Sequence, residues 1–191
     1  AHTLAWSWTL LEDPLRTALA GASLFAGGFS REAFAGMLRL AGVSQPPMAM
    51  LSALHRKSLI QLQRPTRYGL LESVQRFAGA KRADDDLALR LAGWFSEAAA
   101  PRAERQDRDA VLWLRQERDN LMAAWRTLMD HDPQAAARLA PALSVALGAD
   151  PLPARIALWT RNIDALPDAC SERARLHLLR ARDHDLSLIH I

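Results

Sequence analysis

The stretch from residue 48 to residue 80 constrains the fold most, because its hydrophobic pattern changes twice over a short length. Residues 48–57 place Met50, Leu51 and Leu54 at a helical spacing. Residues 60–63 then alternate between apolar and polar side chains, which is typical of a strand with two different faces. A helix followed directly by a strand is therefore predicted here.

The residues that follow predict a hairpin and a closing helix. Residues 64–67 form a turn, and 68–72 bring the chain back, so one two-stranded hairpin is predicted within 59–71. The apolar face of the closing helix consists of Val74, Phe77 and Ala78. A helix, a hairpin and a closing helix, preceded by further helices, are typical of a winged helix-turn-helix domain. Such domains bind nucleic acid or dock on a regulatory neighbour.

Shorter helical patterns precede this unit and complete a predicted first domain over residues 1–82. One helix is predicted at 3–11, and a second begins at Asp13-Pro14, a capping residue followed by a residue suited to the first helical position. A third helix begins after Ser30, whose hydroxyl can cap it.

Beyond Ala83 the sequence predicts helices alone, so residues 83–185 are interpreted as a second domain of helical hairpins resembling tetratricopeptide repeats. Sustained helical spacing follows Leu87, and a longer helix is predicted from about Leu114 to His131. Three further helices are indicated around 136–147, 156–166 and 176–179. Short punctuated loops between such helices favour stacked antiparallel pairs. The predicted fold class is therefore mainly α.

Tryptophan is the abundant aromatic residue of the helical half, and four of its rings are predicted to anchor the packing. We expect these four to be mostly buried, with Trp125 facing the apolar stripe of residues 136–147: Trp94, Trp113, Trp125 and Trp159.

Composition sets wide limits on function. The net charge of +3 permits a nucleic-acid partner without requiring one. Cys170 is the single cysteine, which rules out an internal disulfide and fits a reducing cytoplasm. No apolar run approaches the roughly 20 residues of a membrane helix, so no membrane partner is predicted. Residues 186–191 match one reading frame of a common transposon-end sequencing adapter and are interpreted as a non-native tail.

A group of basic residues is the strongest candidate for a binding site, and two interpretations compete for it. The group lies at the end of the presumed recognition helix and around the hairpin turn: His55, Arg56, Lys57, Arg64 and Arg67. These cations could contact DNA phosphates on two sides of a groove, or they could form a domain interface. They could also serve the fold alone, because cations stabilise a helix C-terminus and keep hairpin edges soluble.

The sequence carries no pattern typical of catalysis. It has no Gly-x-x-x-x-Gly-Lys-Ser/Thr phosphate loop, so no ATP hydrolysis by that route is predicted. The triplets 130–132 and 183–185 each read Asp-His-Asp, but each is placed at a polar helix end without a third spaced ligand group. We therefore predict no catalytic residue, no metal and no cofactor in this segment.

The order of several short phrases resembles that of bacterial transcription regulators of the signal-transduction, numerous-domain (STAND) ATPase class, especially those related to antibiotic-regulatory and LuxR-type activators. The phrases are Leu-Ala-Trp-Ser-Trp at 4–8, Leu-Phe-Ala-Gly-Gly-Phe at 24–29, Leu-His-Arg-Lys-Ser-Leu at 54–59, the run 68–78 and Glu-Arg-Asp-Asn-Leu at 117–121. In that family the matching region is a winged helix followed by tetratricopeptide-like hairpins, and it lies after an ATP- or ADP-binding domain of the NB-ARC type.

The resemblance implies a regulatory segment that docks on an upstream nucleotide-binding domain and receives a protein or small-molecule inducer, with DNA contacted through the full-length protein. Related switches carry a Met-His-Asp-like triplet whose His senses the bound diphosphate. Leu70, Leu71 and Glu72 occupy that place here, so the sensing imidazole is missing. Glu72 is a candidate for a hydrogen bond across the domain interface, or it is an ordinary carboxylate at a helix N-terminus.

Overall fold

The computed structural model describes residues 2–84, 86–105, 107–148 and 150–189, and helices dominate these stretches. The chain divides into two compact units, Ala1–Leu91 and Ala92–Ile191. The sequence placed the change between the domains at 82/83, whereas the structural division falls later, inside the helix Leu87–Arg105. Asp85, which belongs to the predicted boundary, lies outside the described residues.

The first unit consists of helices around a small sheet. Its elements are α1 (His2–Thr9), α2 (Asp13–Ala22), β1 (Phe29–Ser30), α3 (Arg31–Leu40), α4 (Pro47–Arg56), β2 (Gln61–Arg64), β3 (Arg67–Gly69), α5 (Glu72–Gly79) and the start of α6 (Leu87–Arg105). The hairpin β2–β3 was predicted. The structure confirms this hairpin and adds a strand that was not predicted, so the sheet has three antiparallel strands in the order β1-β3-β2.

Strand β1 escaped the sequence analysis because it is only two residues long and can show no alternation. Phe29 pairs with Tyr68 and Ser30 pairs with Arg67. Ser30 also caps α3, as predicted, because its Oγ accepts a hydrogen bond from the backbone N–H of Ala33 at 3.2 Å. One serine therefore ends a strand and begins a helix.

An aromatic cluster forms the core of the first unit. The ring of Phe29 stacks on Phe34 with 5.3 Å between centroids, and it lies 4.8 Å from Phe25 and 6.1 Å from Tyr68. Helix α4 packs inward through the three side chains that the helical spacing predicted, and all three are buried: Met50, Leu51 and Leu54.

Helix α5 is fastened to the end of α2 by a side chain that reaches backbone carbonyls. Gln75 Nε2 donates hydrogen bonds to the carbonyl oxygens of Ser23 at 3.1 Å and Phe25 at 2.9 Å. The loop after α2 thus finds partners for carbonyls that no helix or strand satisfies. These two hydrogen bonds hold in place the closing helix that was predicted after the hairpin.

The second unit is helical throughout, and no strand occurs in the described stretches after residue 86. Its elements are the remainder of α6, α7 (Arg108–Gln116), α8 (Arg118–His131), α9 (Pro133–Arg138), α10 (Ala140–Ala146), α11 (Leu152–Asp164) and α12 (Ser171–Ile189). Helices α11 and α12 pack against each other across a short connection. A short connection makes neighbouring helices antiparallel.

Two helices that the sequence predicted as continuous are each split in two. The long helix ending at His131 is interrupted at Glu117, whose backbone leaves the helical range with φ −90° and ψ 9°. The helix predicted at 136–147 is divided at Leu139. Pro141 lies two residues later and has no N–H to donate to the preceding turn, which explains the second break.

The prediction that the four tryptophans are mostly buried is confirmed. Trp125 and Trp159 are fully buried, and Trp94 and Trp113 keep only a minor part of their surface exposed. The guanidinium of Arg102 covers one face of the Trp113 ring at 4.2 Å from its centroid. A long cationic side chain thus shields a ring that no helix covers completely.

The predicted tail is continuous with the last helix of the second unit. Helix α12 extends to Ile189, and residues 190 and 191 lie outside the described residues. Among the described helices, none has both the length and the apolar character needed to cross a membrane.

Candidate interaction surface of the first unit

The end of α4 presents two of the predicted cations to solvent. Arg56 is the last residue of the helix and Lys57 its C-cap, and both are exposed. The chain leaves the helix through Ser58, which adopts φ +58°. The N–H of Leu59 donates to the carbonyl of Leu54 at 3.0 Å, which closes the helix with the hydrogen bond of a Schellman motif.

His55 is used locally. Its Nδ1 lies 3.2 Å from the carbonyl oxygen of Ile60, and because a carbonyl only accepts, Nδ1 carries the proton and donates it. The imidazole therefore links the last turn of α4 to the residue before β2. Its other ring nitrogen is the one left to act as an acceptor in the neutral ring.

Arg67 does not belong to the exposed group, which corrects the sequence prediction. Its side chain is only 5% exposed, and Nη2 donates a hydrogen bond to the carbonyl oxygen of Gly28 at 2.9 Å. The guanidinium thereby satisfies a carbonyl in the loop that leads into β1. A buried side chain committed to the backbone is unavailable to a phosphate.

Arg64 ends β2 and is exposed beside the turn formed by Pro65 and Thr66. We call Arg56, Lys57 and Arg64 the exposed cations. In the part of the chain that the structure describes, no carboxylate forms an ion pair with any of the three. They are the residues of the predicted group that remain able to contact an external anion.

A groove of about 900 Å³ opens beside the start of α4. It is bounded by the first turn of α3, the start of α4 and the hairpin turn. Its lining is mostly apolar: Ser30, Arg31, Glu32, Ala35, Pro46, Pro47, Met48, Pro65, Thr66 and Tyr68. Met48 is a large apolar side chain left exposed at its edge. The sequence analysis missed this groove because its walls come from three separated segments.

Glu72 is the first residue of α5 and forms an ion pair with Arg76, one turn later, at 2.6 Å. Both side chains are largely exposed. This is the geometry of an ordinary carboxylate at a helix N-terminus, where it complements the helix dipole.

The second unit contains a buried ionic cluster that the sequence analysis did not find. Asp183 is fully buried inside α12, where its Oδ1 accepts from Arg155 Nη2 at 2.6 Å and its Oδ2 from Trp159 Nε1 at 2.9 Å. The placement of the triplet 183–185 at a polar helix end was therefore wrong. Arg155 and Trp159 lie one turn apart on α11, and this spacing is the signal that could have indicated a shared partner.

A second buried contact connects α8 with α11. The indole N–H of Trp125 donates to Asn162 Oδ1 at 3.1 Å, and Asn162 Nδ2 donates to the carbonyl of Pro133 at 3.2 Å. The sequence predicts contact of Trp125 with residues 136–147, and no pattern in it indicates the bond to Asn162. These polar groups fix the positions of the helices.

The described residues contain no group of three or more His, Cys, Asp or Glu side chains arranged to hold a metal ion. Cys170 is a free, half-buried thiol. Comparison of the chain with models of known protein families, with curated proteins and with solved structures gives no match.

Proposed function

We propose that this chain is the regulatory and scaffold segment of a cytoplasmic transcription regulator of the STAND ATPase class. Residues 1–82 act as a winged helix that docks on a nucleotide-binding domain, and the helical half receives a protein or small-molecule signal. The order of the first unit supports the winged helix: a helix, a short strand, two helices and a hairpin, with strand order β1-β3-β2. If the first unit is a winged helix, α4 is its recognition helix and β2–β3 is its wing.

The residues at the start of α4 favour docking on a protein domain over sequence-specific binding of DNA. A recognition helix reads bases with polar side chains near its N-terminus. Here that end consists of Pro46, Pro47 and Met48, which border the apolar groove. None of the three offers a side-chain hydrogen-bond donor or acceptor suited to a base edge. The surface is better suited to apolar contact with protein.

The helical half supports the scaffold role through its hairpin geometry. Helices α11 and α12 form an antiparallel pair held by the Arg155–Asp183 ion pair, and α8 is attached to α11 through Trp125 and Asn162. Stacked pairs of this kind form tetratricopeptide-like arrays, which present extended binding surfaces.

The alternative is that the winged helix binds DNA directly, and the exposed cations favour it. Arg56, Lys57 and Arg64 are solvent-accessible at the helix end and beside the wing. Three such groups could neutralise phosphates on either side of a groove. They cannot by themselves specify a sequence, because phosphate contacts carry no base information.

A selection experiment decides between the two. The full chain is incubated with a pool of random duplexes at physiological salt, bound DNA is amplified over several rounds, and fluorescence anisotropy compares the enriched and the starting duplexes. Docking predicts no enrichment and similar weak affinities. A specific reader discriminates by at least about 10³, so enrichment of one motif with that ratio would establish the DNA-binding alternative.

The parentage has a separate genetic test. If the chain belongs to a STAND ATPase, the reading frame upstream of residue 1 encodes a nucleotide-binding domain with a Gly-x-x-x-x-Gly-Lys-Ser/Thr loop. Sequencing the gene across this region checks the expectation. A complete upstream frame without that loop would contradict the assignment, whatever the DNA assay shows.

A further inference from the structure

A small cavity of about 140 Å³ lies in the first unit, and its lining shares no residue with the apolar groove or the exposed cations. The indole of Trp8 and the α2 residues Ala20 and Gly21 form part of its wall. The segment after α5 contributes residues 81–84, and α2 also contributes the polar residues Arg16 and Thr17. No part of the proposed docking or DNA-binding function uses this site.

Cations outnumber carboxylates around this cavity. Among the described residues, Arg16, Lys81 and Arg82 line it, and Asp84 is the one carboxylate in the lining. The charge of Asp84 is offset by an ion pair with Arg90 at 2.5 Å. The hydrogen bond from Arg90 holds the pKa of Asp84 below its usual range.

Arg16 is largely committed to its surroundings. Its Nε donates to the carbonyl of Trp8 at 3.1 Å, its Nη2 to that of Thr9 at 2.9 Å, and its Nη1 forms an ion pair with Asp13 at 3.0 Å. These contacts fix the guanidinium at the cavity and compensate its charge. Arg16 therefore supplies a rigid wall, while the excess positive charge comes from elsewhere.

Lys81 and Arg82 supply that excess, because neither forms an ion pair within the described residues. The ammonium of Lys81 lies 5.8 Å from the centroid of the Phe77 ring, a contact that leaves its three N–H groups available. Arg82 uses Nε to donate to the carbonyl of Asp84 at 3.3 Å. Its terminal nitrogens keep the fork geometry that suits a tetrahedral oxyanion.

We propose that this cavity binds a phosphate group, with Lys81 and Arg82 as its principal ligands. The volume holds a few water molecules at about 30 Å³ each and is smaller than the roughly 300 Å³ of common small-molecule pockets. One oxyanion fits this space, whereas a nucleoside is too large. Thr17, also in the lining, carries a hydroxyl that can donate to the anion. The bound group would join the segment after α5 to helix α2.

Isothermal titration calorimetry of the full chain with inorganic phosphate, at constant ionic strength, tests the site. Chloride at the same ionic strength is the reference anion. We expect saturable phosphate binding, and the double substitution Lys81→Gln/Arg82→Gln should weaken it at least about tenfold, as expected for the loss of two charged ligands. Heat signals no different from those of chloride would overturn the proposal.

A matched control separates this site from general charge. The double substitution Arg115→Gln/Arg126→Gln removes the same two charges from exposed positions of the second unit, and it should leave phosphate affinity within about twofold. Equal losses of phosphate affinity in both double variants would show that phosphate binding depends on net charge alone, and would overturn the proposal. Circular dichroism melts without phosphate verify that both variants fold.

A third variant is expected to bind phosphate more tightly, so its result cannot be confused with a loss of folding. Asp84→Asn removes the one carboxylate among the described lining residues and frees Arg90, so phosphate should bind severalfold more tightly. Unchanged or weaker binding by a folded Asp84→Asn variant would place the anion elsewhere and overturn the proposal.

The source of the phosphate group is decided by a second ligand. Glycerol phosphate carries the same group on a small organic stem, and binding as tight as that of inorganic phosphate would support a site for a phosphate ester. Binding of inorganic phosphate alone would support a site for the free anion. Both results count only if the Lys81→Gln/Arg82→Gln variant loses phosphate affinity. That loss is independent of docking, so a failure of the docking proposal would leave it unchanged.

Discussion

Arg67 and Asp183 show how polar side chains that resemble binding residues in a sequence can serve the fold instead. Arg67 is buried against the carbonyl of Gly28, and Asp183 is buried between Arg155 and Trp159. Sequence patterns identify the residue type and its position on a helix or hairpin. They do not show whether a long side chain folds back onto the backbone, because the partner lies many residues away.

Asp183→Ala should destabilise the second unit by about 3–5 kcal/mol, because it leaves the buried guanidinium of Arg155 without its counter-charge. Urea unfolding monitored by circular dichroism measures the change. Asp185→Ala is the matched control, since Asp185 is exposed two positions later on the same helix, and it should stay within about 0.5 kcal/mol. Replacing Arg155 and Asp183 together by Met and Leu should recover much of the loss. A small effect of Asp183→Ala alone would contradict a structural role for the pair.

Ser58→Gly should stabilise the first unit by about 1 kcal/mol, because Ser58 occupies φ +58°, where glycine carries no steric penalty. Gly42 offers the reciprocal control at the end of α3. It has φ +71°, and a Cβ added there would meet no atom within 4 Å, so Gly42→Ala should lose a similar amount through backbone strain alone. Thermal melts of both variants check the pair, and equal shifts of the same sign would refute the argument.

Strand β1 depends on a close approach that only glycine allows. A Cβ on Gly28, at φ +82°, would lie 2.6 Å from the carbonyl oxygen of Tyr68. Gly28→Ala should therefore separate β1 from β3 and cost more than about 2 kcal/mol. Gly93→Ala is the control: it lies inside α6 with open space around it, and should stabilise by about 0.5–1 kcal/mol. Calorimetric melts of the two variants decide, and an unchanged melt of Gly28→Ala would contradict the role given to this glycine.

Helix α8 depends on Trp125 in two ways, through its ring and through its N–H. Trp125→Ala should cost about 3–5 kcal/mol, because a buried ring is lost. Trp125→Phe keeps most of the ring and removes the hydrogen bond to Asn162, so about 1–3 kcal/mol is expected from the unpaired amide. Urea unfolding of both variants separates the terms. Equal losses would show that the hydrogen bond, and not the packing, holds α8 to α11.

The elements that the sequence predicted well are those with a strong local pattern. Helix α4, with Met50, Leu51 and Leu54 inward, and the hairpin beside it follow from period and turn chemistry alone. The breaks at Glu117 and Leu139 were missed because the apolar spacing continues across each of them. The spacing of apolar residues indicates which face of a helix is buried. It does not indicate whether a single residue adopts non-helical φ and ψ angles.

At the scale of the whole molecule, the helical character of both halves could be predicted, but the candidate site could be predicted only in part. Arg56, Lys57 and Arg64 lie on the surface as the sequence suggested. The apolar groove and the phosphate-sized cavity could not be anticipated, since each is built from residues brought together by folding. Of the basic group predicted from the sequence, the exposed cations are the residues whose contact with DNA can be tested.

The salt dependence of DNA binding by the full chain should reveal how few phosphates these cations contact. Fluorescence anisotropy with a random duplex is expected to show weak binding whose logarithmic salt slope is at most about −2.7, since each of the three cations releases about 0.9 counterion. Arg56→Gln/Lys57→Gln should flatten the slope by about two thirds, whereas Lys81→Gln/Arg82→Gln, with the same net charge, should leave it unchanged. A slope much steeper than −2.7 would mean that a larger basic surface contacts DNA. Nanomolar binding to a selected sequence at physiological salt would show that the first unit binds DNA specifically and would overturn the docking proposal.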